Sequence, residues 1–476
     1  MAKYYLLILI AFSALTHFIF FGRPNEVVFD EVYFGAFSSA YGAGTYFFDI
    51  HPPLGKLLIS AAGYAGGFNS TTINYSAIGN GFSDSSYLWY RILPILAGFL
   101  LPLVIFRLCL RLKFSPFASF LAGLFIILEN SLLVQSRFMF LDSFLILFGF
   151  SALLFYFYAR SAETKKKFWL RIILTAVFAG LSFSVKWTGL SFLGLIILME
   201  TWDLVKNIKN PIIWRGYILK IGLFGLVGFS IYFATFAVHF SLLPDSGAGD
   251  GFMTPAFQKT LNGNNYAEDP EIKPIGLIGK FIELNKRMYT ANETLTATHP
   301  YSSRWYTWPI MSRPIYYWVE SAPSAVRPGA EAKIYFLGNP FIYWLAGLAI
   351  IFLAAGLLYR LINHLAKFGA EIKQSFPAVD YRLPTFLLAS FLISWLPFIF
   401  IGRVMFLYHY LSALIFAIMA LALAVDRIKK DRTKIIIGLA LVILFSSSFI
   451  FFSPLSYGLP LSPDAQNIRF WFKSWR

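Results

Sequence analysis

Long apolar runs separated by short polar stretches dominate the chain. A helix needs roughly 20 mostly apolar residues to cross a bilayer. Eleven runs qualify as candidates: 4–22, 88–106, 115–134, 141–158, 170–184, 188–200, 218–240, 341–359, 384–402, 405–425 and 435–452. Two of them, 170–184 and 188–200, are short and read either as tilted half-spans or as one kinked hairpin. The first run is long and no small-residue cleavage pattern follows it, so it is expected to be a retained span. Two long segments, 23–87 and 241–340, interrupt the series. In the first, residues 30–44 are rich in aromatic and small side chains and suit an amphipathic helix on the membrane surface. A second apolar stretch follows Pro52 and Pro53. The other segment holds ten prolines from Pro244 to Pro340, which is too short and irregular for a large appended domain. Within it, 275–288 has helical apolar spacing and is expected to dock back on the bilayer. No internal repeat is visible. The pattern predicts an all-α polytopic membrane protein in three parts: a membrane module at 1–240 carrying the loop 23–87, a loop at 241–340, and a second membrane module at 341–476.

Composition agrees. Hydrophobic residues make up 58% of the 476 positions and charged ones 13%, against about 25% charged in ordinary soluble proteins. That argues against a soluble enzyme and excludes a disordered chain. The net charge of +16, from 40 Lys+Arg and 24 Asp+Glu, would suggest nucleic acid on a soluble domain. Here it sorts by topology instead, and no nucleic-acid partner is expected. With the N-terminus inside, the inner loops hold 22 basic residues, whereas the short outer turns hold only Arg137, Lys186 and Arg403. Cytoplasmic loops collect Lys and Arg, so the N-terminus is expected to be cytoplasmic and both long loops extracytoplasmic. The single cysteine, Cys109, permits no intrachain disulfide and no cysteine zinc cluster.

On this topology the uncommon polar residues gather at one face. Asp30, Glu31, Asp49, His51, Arg91, Arg137, Asp142, Lys186 and Arg403 all fall at or just past outer span ends, and polar residues at membrane depth usually have a reason. Asp30 and Glu31 are either a helix start with favourable charge on the dipole or a carboxylate base facing the outer leaflet. In TYFFDIHPPLGK, 45–56, the two prolines make a rigid turn that holds Asp49 near His51. In SRFMFLDS, 136–143, Arg137 and Asp142 either pair or present Arg137 to an anion. Lys186, in KWTG, is either an interface anchor or a site cation. Arg403, Tyr408, His409 and Tyr410, in GRVMFLYHY, suit a phosphate head-group as well as a bend between spans. None of the six histidines has metal-motif spacing, so a divalent metal is not expected, although His51, His239, His299 and His409 all fall on or near the outer side. Triplets at Asn69, Asn74 and Asn292 match N-glycosylation acceptors, which are frequent by chance.

Together these strings resemble the protein O-mannosyltransferases, membrane enzymes of the glycosyltransferase-C superfamily. FDEVYFGAFSSAYGAGTYFFDIHPPLGKLL is similar to the family's first external loop, and SRFMFLDS, SVKWTGL and RVMFLYHYLSAL look like its later motifs. HPYSSRWYTWPIMSRPIYYW, 299–318, looks like the bacterial branch. The resemblance runs from about residue 25 to residue 425. It implies about 11 spans and inverting transfer of mannose from a polyprenyl (dolichyl-type) phosphate to Ser or Thr hydroxyls of exported proteins. It matches the family's acidic pair to Asp30 and Glu31, with Asp30 as base, its HPP motif to His51, Pro52 and Pro53, and its span-two arginine to Arg91. Two departures stand out. The large carbohydrate-binding-like domain of eukaryotic members is absent, since the later loop has only about 100 residues, and Leu-Ser follows YHY where proline is usual.

A lipid monophosphate already leaves well, so the site needs cations more than a general acid. Arg91, Arg137, Lys186, Arg403 and His409 are the expected phosphate partners, with Asp49, His51, Pro52, Asp142 and Tyr408 shaping the site. The acceptor hydroxyl needs one carboxylate within about 3 Å: Asp30, with Glu31 orienting the acceptor or its own loop. The alternatives are transfer of another sugar to lipid or cell-wall glycan on the same fold, and a transporter. Transporters place polar sites at the midplane between repeated halves, a pattern this sequence lacks.

Overall fold

A computed structural model describes residues 1–67, 74–294, 296–321, 329–367 and 382–476. The triplet at Asn69 lies outside the described residues. The order of helices is α1 (Ala2–Phe18), α2 (Glu31–Ala43), α3 (Leu54–Ala65), α4 (Leu88–Arg111), α5 (Pro116–Ile127), α6 (Asn130–Ser136), α7 (Asp142–Arg160), α8 (Lys165–Val185), α9 (Leu190–Lys206), α10 (Pro211–Leu242), α11 (Pro255–Gln258), α12 (Leu277–Thr294), α13 (Pro340–Lys367), α14 (Arg382–Trp395), α15 (Leu411–Asp426) and α16 (Asp431–Tyr457). Among the described residues nine helical segments are long and apolar enough to cross a membrane, ten if the bent pair α5–α6 is one span, and α1 is a shorter apolar helix.

Each expected run is helical, with two refinements. The runs at 170–184 and 188–200 belong to separate segments, Lys165–Val185 of 21 residues and Trp187–Lys206 of 20, both long enough to cross. The run at 115–134 is instead broken by 60° between α5 and α6. Glu129 causes the break. Its side chain caps α6 by accepting from the Leu132 N–H at 2.9 Å, and it also receives the Asn339 N–H at 2.6 Å. A capping carboxylate competes with helix continuation.

The helix α15 is apolar on every face and is buried on every face, packed among α5, α13 and α14. The loop helix α2 packs on α3, which lies against α4 and α8. On α2 the buried positions Glu31, Phe34, Gly35, Ser38 and Tyr41 follow the helical period. At Gly35 a Cβ would come within 2.1 Å of the Tyr75 ring, so only glycine fits. A small antiparallel sheet, β1 (Ile315–Val319), β2 (Glu331–Phe336) and β3 (Pro460–Leu461), covers the same end of the bundle. It matters for the site because the Phe29 N–H donates to the Tyr317 carbonyl at 3.2 Å, and the two rings stack at 4.3 Å. Phe29 has φ +43°, left-handed and costly for a bulky residue, immediately before Asp30.

Candidate active site

The acidic pair divides into a buried residue and a free one. Glu31 is 0% exposed. Its carboxylate accepts from Arg91 Nε at 2.8 Å and Nη2 at 2.6 Å, from the Val28 N–H at 2.9 Å and from the Met139 N–H at 3.1 Å. Both oxygens are therefore committed, and the group ties α2 to α4 and to the turn before α7. The adjacent Asp30 is half-buried, and its side chain makes no hydrogen bond or ion pair among the described residues. Burial pushes its carboxyl up to about 7; Lys186 opposes the rise, and Asp142 and Asp49 add to it. Of the two, only Asp30 has a carboxylate available for proton transfer near neutral pH.

Arg91 and Arg137, expected at the phosphate, are held elsewhere. Arg91 is also 0% exposed. Besides Glu31 it donates to the carbonyls of Gly22 at 3.3 Å, Pro24 at 2.6 Å and Glu26 at 2.8 Å. Arg137 is 2% exposed and donates to the carbonyls of His17, Ile19 and Phe20 at 2.5 to 3.2 Å. Burial brings its guanidinium down to about 10. Arg137 satisfies carbonyls at the end of α1, where the helix leaves such groups unpaired; Arg91 satisfies those of the segment that follows it, and neither lines the cavity described below. Nor does Arg137 pair with Asp142. The Asp142 carboxylate takes Lys186 Nζ at 2.9 and 3.0 Å and Gln135 Nε2 at 2.8 Å.

The HPP turn is closed from beneath by Lys56, which is buried. Its ammonium pairs with Asp49 and donates to the carbonyls of His51 at 2.8 Å and Pro52 at 3.2 Å. Proline at α3's start leaves His51 outside the helix and free to face the cavity. Burial and the surrounding cations Lys186, Lys56 and Arg403 hold His51 well below its usual pKa, so it is neutral at pH 7.

A cavity of about 650 Å³ opens between α9, α12, α14 and α15. His51, Asp142, Lys186, Arg403, Tyr408 and His409 are among its polar lining residues. Leu190, Ile393, Pro397, Phe400, Ile401 and Leu411 are among its apolar lining residues. Asp30, Glu31, Asp49 and Pro52 do not line it, but Lys186 and Asp142, which feel the charge of Asp30, do. Arg403 is half-buried and has no carboxylate partner among the described residues; its guanidinium donates to the Val404 carbonyl at 3.4 Å. Burial lowers its pKa from the usual arginine value, as expected for a cation without an anion. His409 stacks on Trp308 at 5.8 Å and on Tyr408 at 4.7 Å, and Lys186 lies 5.4 Å over the Tyr408 ring. Among the described residues no three His, Cys, Asp or Glu side chains gather as a metal site would require.

Three contributors escape a reading of the sequence. Gln135 bridges Asp142 to the Tyr317 hydroxyl, which donates to it at 2.7 Å. Lys56 and Tyr317 stand inside conspicuous strings, but nothing in their spacing marks which side chain turns inward.

This geometry can be set beside known proteins. The profile described as dolichyl-phosphate-mannose-protein mannosyltransferase matches residues 7–244, and that of the C-terminal four-span region of protein O-mannosyltransferase matches 277–475. The chain belongs to the protein O-mannosyltransferase family. Dolichyl-phosphate-mannose–protein mannosyltransferase 1 of Candida albicans is 35% identical over 275 residues, 55% of this chain and 30% of that one. Protein O-mannosyltransferase 1 of Drosophila melanogaster is 34% identical over 270 residues, 54% and 30%. The match thus spans about a third of the length of these relatives. The S. cerevisiae Pmt1-Pmt2 complex bound to the sugar donor superposes with a TM-score of 0.88 at 20% identity, covering 100% of this chain and 92% of that one. ArnT from Cupriavidus metallidurans bound to undecaprenyl phosphate gives 0.51 at 15% identity, covering 93% and 64%. The fold is the multi-pass glycosyltransferase-C fold expected for an O-mannosyltransferase, mostly helical with one small sheet where an all-α chain was expected.

Proposed function

We propose that this O-mannosyltransferase family member is an inverting glycosyltransferase that moves mannose from a polyprenyl-phosphate donor to Ser or Thr hydroxyls of exported proteins. The observation that carries the reading is Asp30, a carboxylate with no hydrogen-bond or ion-pair partner among the described residues and a pKa raised to about 7 by burial, standing beside a cavity lined by both cationic and apolar side chains. An amphiphile with a phosphate head and a prenyl tail matches such a cavity. The tail lies along Leu190, Ile393, Phe400 and Ile401, and the phosphate meets Arg403 and Lys186, with His51 and His409 beside them.

In the reaction the acceptor oxygen attacks the anomeric carbon as the carbon–oxygen bond to phosphate breaks. The acceptor proton passes to Asp30, and the polyprenyl phosphate leaves with the electron pair of the broken bond. A base poised near the working pH is the efficient choice, and fixed cations stabilise the charge that grows on the phosphate. Lys186 keeps its place through Asp142, and Asp142 through Gln135 and Tyr317. Glu31 and Arg91 act indirectly, holding the start of α2 so that Asp30 faces the site. No divalent metal enters this scheme. The site faces the extracytoplasmic side with the N-terminus cytoplasmic, a reading supported by the 22 basic residues of the opposite loops.

The test is incubation of the purified protein with polyprenyl-phosphate mannose, its glucose analogue and Ser/Thr peptides, followed by mass spectrometry. A hexose on a Ser or Thr hydroxyl, from the mannosyl donor, is expected. Product found only on lipid or glycan, or no product from any donor, would overturn the reading.

A further inference from the structure

One wall of the cavity comes from outside the membrane core and is not explained by holding a phosphate or a tail. The external helix α12 packs its inner face, Phe281, Leu284 and Met288, against the end of α10. Its last turns then pass over the cavity, which Tyr289, Asn292 and Glu293 line. These positions stand at i, i+3 and i+4, so they share one helix face. Asn292 fixes the wall in place. Its amide donates to the Ile50 carbonyl at 3.1 Å, next to His51, and to the Met288 carbonyl at 2.9 Å. Bound this way, its side chain is also unavailable as a glycan acceptor in the folded protein.

Charge distinguishes this wall from the rest of the lining. The cavity has two carboxylates. Asp142 is neutralised by Lys186, whereas Glu293 has no hydrogen bond or ion pair among the described residues and is exposed. A free carboxylate repels a phosphate but accepts strongly from hydroxyl groups, and such charge-assisted bonds are about twice as strong as neutral ones. Tyr289, 61% exposed, offers an amphipathic ring one turn away, apolar on its face and polar at its tip. An anionic head-group belongs with Arg403 and Lys186, and a neutral polyhydroxylated one belongs with Tyr289 and Glu293.

We propose that the last turns of α12 recognise the donor's sugar, with Glu293 accepting from its hydroxyls, Tyr289 covering a face of the ring, and Asn292 positioning both relative to His51. The inference deepens the donor reading above and rests on it. It makes Glu293 and Tyr289 specificity-determining residues that act on the sugar and leave the lipid phosphate alone.

Paired binding measurements separate the two ends of the donor. Affinities for polyprenyl-phosphate mannose and for sugarless polyprenyl phosphate are measured on the full chain in detergent, for the parent protein and for Glu293→Gln and Tyr289→Ala. Both positions are exposed, and retained affinity for the sugarless lipid certifies that the variants are folded. Each variant is expected to lose about tenfold in affinity for the mannosyl lipid, to keep parental affinity for the sugarless lipid, and to discriminate less between mannosyl and glucosyl donors. Unchanged affinity for the mannosyl lipid, or equal losses for both lipids, would overturn the assignment. A parent protein that binds neither lipid would instead overturn the donor reading itself.

Discussion

Arg91→Ala tests whether that arginine holds the fold or the phosphate. Arg91 and Glu31 are both fully buried, and their pair is bidentate. Truncating the arginine leaves the Glu31 carboxylate in an apolar interior with only the Val28 and Met139 N–H groups for partners. Breaking a buried pair from one side costs about 3–5 kcal/mol. The upper end applies here, because three carbonyls also lose their donor and the rings of Tyr87, Phe138 and Phe82 lose a cation 4.9 to 5.3 Å away. Thermal unfolding of the detergent-solubilised protein should therefore fall by several degrees. Donor KM, measured on the folded fraction, should stay within about twofold while kcat drops, because loosening Glu31 lets the adjacent Asp30 drift. Replacing both partners with apolar residues of similar volume should recover much of the stability without recovering kcat. A variant with parental unfolding temperature and a donor KM raised tenfold or more would return Arg91 to the phosphate and refute this reasoning.

Three further outcomes follow from the site. With the Asp30 carboxyl raised to about 7 by burial, kcat/KM should climb roughly tenfold per pH unit below that value and level off above it; a profile flat down to pH 5 would exclude a raised carboxylate as the base. Arg403→Ala should weaken mannosyl and sugarless polyprenyl phosphate alike, by about tenfold or more, and Arg403→Lys should restore only part because the planar fork is lost; full affinity in Arg403→Ala would remove it from the phosphate. A chelator should leave turnover intact, whereas a loss restored by a divalent ion would require a metal in the reaction.

The membrane architecture was legible because lipid imposes one rule on every span, and the rule is written in composition. What escaped was local competition. The bend at Glu129 depends on a single capping carboxylate inside an apolar run, and hydropathy averages over it. The outer polar cluster was visible as a set, since topology puts Asp30, His51, Lys186 and Arg403 at the same face. Its internal division was not, because a one-dimensional pattern does not say which cation finds a carboxylate. Glu31 takes Arg91 from 60 residues away, and Lys186 takes Asp142 from 44. Carbonyls left open at the end of α1 claim Arg137. Arg403 is the cavity-lining arginine left over when these pairings are made. The wall at Tyr289, Asn292 and Glu293 was hidden for a similar reason: the spacing in 275–288 marks the face that packs, and the cavity-facing side of the helix carries no period of its own.

The central claim is that Asp30 takes the acceptor proton, and Asp30→Asn in a single-turnover transfer assay tests it most directly. Because the native carboxyl holds its proton more tightly than an unfolded chain would, ionising it between about pH 4 and 7 costs stability. The neutral amide should therefore fold at least as stably as the parent at pH 8. With mannosyl donor still bound, transfer should fall by about 10²-fold or more. Parental turnover in a folded, donor-bound Asp30→Asn protein would contradict the account.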